Sequence, residues 1–117
     1  MAVTITGGVI SSAPSLSFNA QTGTTYTLAL TDANNTVVTL SNSAAITVTI
    51  PPASSVAFPV GSQIQLNQIA AGQVTVAAGS GVTLNGTPGY KLRAQWSFAT
   101  LICTASNVWL LVGDVTP

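Results

Sequence analysis

Histidine and glutamate are absent from this 117-residue chain, and Asp32, Lys91, Arg93 and Asp114 are its only charged side chains, 3% of the sequence. Ordinary soluble domains carry roughly 25% charge. Without an imidazole there is no proton carrier for a Ser-His-Asp or Cys-His device. A single cysteine, Cys103, permits neither an intrachain disulfide nor the ligand set of a zinc site. A glycosidase needs two facing carboxylates. Asp32 and Asp114 are the only candidates, and each falls at an expected strand end beside Asn or Gly, where turn or surface roles are the simpler reading. Gly79-Ser80-Gly81 lacks the following Lys and helix of a phosphate loop.

Two bases balanced by two acids cannot drive nucleic-acid binding by counterion release. The longest apolar run, Val108 to Val112, is far shorter than the roughly 20 residues of a membrane helix. The aromatic girdles and ten-residue strands of a membrane barrel are missing as well. The N-terminus has no basic segment ahead of a hydrophobic stretch, so no signal peptide is expected and synthesis in a cytoplasm follows. No enzyme activity, cofactor, nucleic-acid partner or membrane partner is expected.

What is present is strand chemistry. Apolar residues make up 47% of the chain, and the remainder is mostly Thr, Ser, Asn, Gln and Gly. Alternation with period two recurs: Ile46, Val48 and Ile50 interleave with Thr47 and Thr49, and Ile64 and Leu66 with Gln63 and Gln65. β-branched residues dominate these stretches, and their stiff side chains suit a pleated sheet. The pattern predicts strands near 25–30, 36–40, 45–50, 63–69, 73–77, 82–85, 90–97, 99–104 and 107–113. Turn residues fall between them, as in Asp32-Ala33-Asn34-Asn35 and Pro51-Pro52. The expected fold is all-β: a single β-sandwich or jelly-roll-like domain of eight to nine short strands over residues 23–117, with an extended N-terminal arm over 1–22.

The arm carries Val3, Ile5, Val9, Ile10, Leu16 and Phe18. It reads either as a frayed terminus or as a segment that docks on a neighbouring subunit, and that much apolar surface favours docking. In the expected strand 90–97, Tyr90, Leu92, Ala94, Trp96 and Phe98 share one face, assigned to the core. Lys91, Arg93, Gln95 and Ser97 share the other, where Lys91 and Arg93 form salt bridges with Asp114 or Asp32, make an assembly contact across a subunit interface, or hold an acidic patch of a host surface. Cys103 and Trp109 read as core residues. A nearly uncharged β surface lacks the repulsion that keeps such proteins apart, so burial of its edges in a closed oligomer is the expected remedy. With so few charges to titrate or screen, stability is expected to stay nearly flat between about pH 5 and 9 and across salt.

Several phrases together resemble a small β-domain of tailed-bacteriophage structural proteins, of the head-decoration (cement) or tail-fibre type. They are Tyr26-Thr27-Leu28 with Asp32-Ala33, Ile46-Thr47-Val48-Thr49-Ile50-Pro51-Pro52, Phe58-Pro59-Val60-Gly61, and Ala71-Gly72-Gln73-Val74-Thr75-Val76. Lys91-Leu92-Arg93-Ala94-Gln95-Trp96 and Trp109-Leu110-Leu111-Val112-Gly113-Asp114 complete the likeness, which spans roughly residues 24–114. The resemblance implies a homotrimer within a virion. The expected role is a capsid decoration protein on the capsid surface, partnered with the major capsid protein, which clamps the shell through its arm and base. The alternative is a tail-fibre or tail-tip component that meets the host surface. A chain this short, with its own initiator Met, favours decoration, and so does the expected burial of Trp96.

Overall fold

The computed structural model describes residues 15–117, together with the backbone of two short antiparallel strands, β1 (Ile5–Thr6) and β2 (Val9–Ile10). Eleven further strands follow: β3 (Ser17–Gln21), β4 (Thr25–Thr27), β5 (Thr36–Leu40), β6 (Ile46–Ile50), β7 (Gln63–Gln68), β8 (Val74–Ala78), β9 (Thr83–Gly86), β10 (Lys91–Leu92), β11 (Phe98–Ala105), β12 (Val108–Gly113) and β13 (Val115–Thr116). They form a six-stranded sheet in the order β3-β5-β7-β11-β12-β9 and a five-stranded sheet in the order β13-β10-β8-β6-β4. The all-β sandwich expected from the alternation is present.

The chain enters this sandwich by winding. Strands β3 to β8 alternate between the two sheets; β3, β5 and β7 pair in parallel in one, and β4, β6 and β8 pair in parallel in the other. Each turn of chain therefore lays one strand on each sheet. Parallel neighbours need a crossover connection, and here the opposite sheet serves as the crossover. A jelly roll would instead weave antiparallel Greek keys. Within the two sheets of the sandwich, antiparallel pairing begins only after β8, where β11 returns beside β7, β12 beside β11, β10 beside β8 and β13 beside β10.

Period-two burial follows from this arrangement. Val38 and Leu40 of β5, Ile64 and Leu66 of β7, and Leu101 and Cys103 of β11 face Ile46, Val48 and Ile50 of β6, Val74 and Val76 of β8, and Leu92 of β10 in one core. Trp109 is buried in it and meets Phe58 edge-on, with ring centroids 5.2 Å apart. On the outside of the five-stranded sheet the register sets Thr25, Thr47, Thr75, Lys91 and Thr116 in one row. Hydroxyls thus solvate a surface that charge does not.

Three expectations are corrected. Ser17–Gln21, assigned to the arm, is an edge strand of the six-stranded sheet, so the sandwich begins before residue 23. The strand expected over 90–97 stops at Leu92, and a turn over Ala94–Ser97 follows, closed by Ser97 N–H donating to the Ala94 carbonyl at 3.0 Å. Trp96, expected in the core, has a φ of 73° and is 68% exposed, while Ser97 is buried.

Candidate assembly and ligand-binding surfaces

The expected contact residues divide into three groups. Val3 lies outside the described residues, as do the side chains of Ile5, Val9 and Ile10. Leu16 and Phe18 are exposed, Phe18 at 69%, on or beside the edge strand β3. Leu30, between β4 and β5, is exposed as well. Strands β3 and β4 make up the first turn of the winding and are the edges of their respective sheets; among the described residues, no strand pairs with the outer side of either.

Lys91 and Arg93 are both exposed but differ in their partners. Arg93 meets Asp114 in a bidentate pair, Nε donating to Oδ1 at 2.8 Å and a terminal NH2 to Oδ2 at 2.9 Å. Ser97 Oγ donates to the same Oδ2 at 2.7 Å. These donors, Arg93 first and Ser97 second, hold the Asp114 carboxyl below the usual aspartate range. Lys91 has no anionic partner among the described residues.

Asp32 is neither an exposed turn residue nor a partner of Arg93. It is 1% exposed, at the end of a short 3-10 turn over Leu30–Asp32. Its carboxylate accepts from Asn19 Nδ2 at 2.8 Å, Tyr26 Oη at 2.6 Å and the Ala29 backbone N–H at 2.8 Å. Gln21 Nε2 donates in turn to Asn19 Oδ1 at 2.8 Å. A buried carboxylate is tolerated only when its lone pairs are occupied, and this cluster occupies them while tying β3, β4 and the 3-10 turn together. Partial burial first, and the Asp32 carboxylate second, push the Tyr26 phenol up to about 12. The sequence signal was the parity of Asn19 and Gln21, which fall on the inward side of β3 where apolar residues would be expected.

Two concavities matter. One, of about 10 Å³, lies beside Cys103 among Pro51, Phe58, Asn107 and Trp109 and has room for about one water. Burial pushes the Cys103 thiol up, which suits a packing residue. The other is an open cleft of about 120 Å³ lined by Asn34, Asn35, Gln63 and Gln65. It is bounded by carboxamides and contains no ionisable group. Isolated Asn and Gln at strand ends carry no motif, which hides this cleft in the sequence, and alternation assigns Trp96 to the core rather than to an exposed aromatic platform. The chain matches no protein-family model, no curated protein and no solved structure.

Proposed function

We propose that the chain is a structural protein of a bacteriophage particle, a decoration or cement protein that binds the assembled capsid shell as a homotrimer and stabilises it. Its mechanism is binding rather than reaction. The observation that carries this reading is the first turn of the winding, where β3 and β4, the outermost strands of their sheets among the described residues, coincide with the exposed Leu16, Phe18 and Leu30 on a domain with 3% charge. Unpaired strand edges beside apolar side chains are a template for another chain. Closure in a trimer, or contact with the major capsid protein, covers them. The virion setting rests on the resemblance of residues 24–114 to phage structural domains.

A decoration protein stabilises the expanded shell because it binds that state and not its dissociated parts. The exposed Trp96 favours a second reading, a tail-fibre or tail-tip component meeting the host surface. Co-sedimentation of the purified chain with empty capsids and with intact host cells separates the two. Shell binding without cell binding is expected; cell binding without shell binding would refute decoration.

A further inference from the structure

β7 reads Gln63-Ile64-Gln65-Leu66-Asn67-Gln68, with Ile64, Leu66 and Gln68 buried, so Gln63, Gln65 and Asn67 point outward. They stand about 6.6 Å apart along the strand. Asn67 lies directly opposite Phe98, Gln65 opposite Thr100 and Gln63 opposite Ile102 on β11. Beyond Gln63 the chain passes over Asn34 and Asn35, both left-handed with φ of 58° and 55°, a conformation that asparagine tolerates better than most residues. These two residues close the cleft of about 120 Å³. The Asn35, Gln63 and Gln65 carboxamides bond to none of the described residues, and Asn67 Nδ2 donates to the Ser97 carbonyl at 3.1 Å, which leaves its own carbonyl oxygen available.

Trp96 stands at the other end of this row. Its left-handed backbone is disfavoured for a bulky side chain, yet four contacts impose it. The Trp96 N–H donates to the Gln68 carbonyl at 2.6 Å, Ser97 N–H to the Ala94 carbonyl at 3.0 Å, Ala94 N–H to Ser97 Oγ at 3.0 Å, and Ser97 Oγ to Asp114. A glycine would fit the turn without strain. The fold therefore keeps a disfavoured residue with its indole largely in solvent, two positions before the half-exposed Phe98 that opens β11.

We propose that this face is a binding site for a neutral oligosaccharide, with Trp96 and Phe98 as its stacking surface and the carboxamides of Asn35, Gln63, Gln65 and Asn67 as its hydrogen-bonding rail. Carboxamides present donors and acceptors side by side, as sugar hydroxyls require, and aromatic rings cover the apolar faces of sugar rings. An ionic ligand finds no counter-charge there: the outward residues of β7 and β11 are uncharged, and Arg93 is committed to Asp114. The site lies two strands in from β3, the outermost strand of this sheet among the described residues; it goes beyond the shell-binding reading and stands or falls separately from it.

The test is binding of the fluorescently labelled full chain to a printed array of neutral and acidic glycans at low and high salt, repeated with Trp96→Gly and Gln65→Ala. Binding to neutral glycans that is insensitive to salt is expected, with about tenfold or greater weakening in Trp96→Gly although that variant melts no lower than the parent. Failure to bind any neutral glycan, binding confined to acidic glycans, or undiminished binding by Trp96→Gly would each overturn the proposal. If neutral glycans are not bound and Trp96→Gly lowers the oligomeric state in sedimentation, the occupant of the face is a second copy of this chain and the proposal is overturned. Capsid co-sedimentation of Trp96→Gly reads the shell-binding function separately.

Discussion

Replacing Asp32 with alanine removes the acceptor that ties the first turn of the winding together. Three donors lose their partner: Asn19 Nδ2, Tyr26 Oη and the Ala29 N–H. A hydrogen bond to a charged group contributes roughly 1.5–3 kcal/mol. Tyr26 and Asn19 are only partly buried and recover part of that from water, which brings the expected loss to about 3 kcal/mol. A domain of this kind has a total stability on the order of 5–15 kcal/mol, and at about 4 °C per kcal/mol the melting temperature should fall by about 12 °C. Urea unfolding followed by tryptophan fluorescence, with the slope checked for constancy, measures this. Tyr26→Phe, which removes one of the three donors, should cost about 1.5 kcal/mol. Because the two residues share a bond, the double variant should lose less than the sum of the singles. A loss below about 1 kcal/mol in Asp32→Ala, or strict additivity with Tyr26→Phe, would refute the argument that this buried carboxylate fastens β3 and β4.

The remaining predictions concern backbone, charge and pH. Trp96→Gly should stabilise the fold by about 1 kcal/mol by relieving the left-handed backbone, measured by the same unfolding curve; a loss of stability would show that the indole packs rather than presents. Gly72→Ala should destabilise severely, since a Cβ there runs into the Asn42 and Ala44 carbonyls in a loop that the Gly72 N–H holds through Asn42 at 2.8 Å; a melting temperature within a few degrees of the parent would contradict the close approach. Lys91→Gln should leave folding unchanged while Arg93→Gln loosens the Ala94–Ser97 turn, and persistence of both folding and shell incorporation in the double variant would remove these residues from the assembly contact. The Tyr26 phenol has a folded value of about 12, above its ordinary 10.0, so its contribution is complete below pH 10 and is lost as pH rises toward 12; Tyr26→Phe should flatten that alkaline slope. Asp114 titrates below its ordinary 3.8, so its contribution holds above that value and is lost as pH falls beneath it, and Asp114→Asn should abolish that acid loss.

Much of the fold was legible because alternation reports faces directly. β5, β6, β7, β8, β11 and β12 fall where the Val, Ile and Leu periodicity put them, with Trp109 and Cys103 inside. Alternation does not report neighbours, so the helical winding of β3 to β8 left no trace in the pattern. β3 was missed because its inward residues, Asn19 and Gln21, serve the Asp32 cluster instead of the apolar core. The 90–97 segment misled for a related reason: its alternation is perfect on paper, but the Arg93–Asp114 pair and the left-handed Trp96 break the strand and reverse which side chains are buried. The carboxamide cleft needed Asn34 and Gln63, 29 residues apart, to be brought together by the N–H of Asn34 bonding to the Gln63 carbonyl.

Shell stability in the presence of the chain tests the central claim most directly. Expanded empty capsids are titrated with purified protein while their dissociation under heat or denaturant is followed by light scattering. The midpoint should climb with the logarithm of free protein once its dissociation constant is passed, by about 2.7 kcal/mol per site at a hundredfold excess. A midpoint that stays put at saturating protein, or protein that does not sediment with the shells, would contradict it.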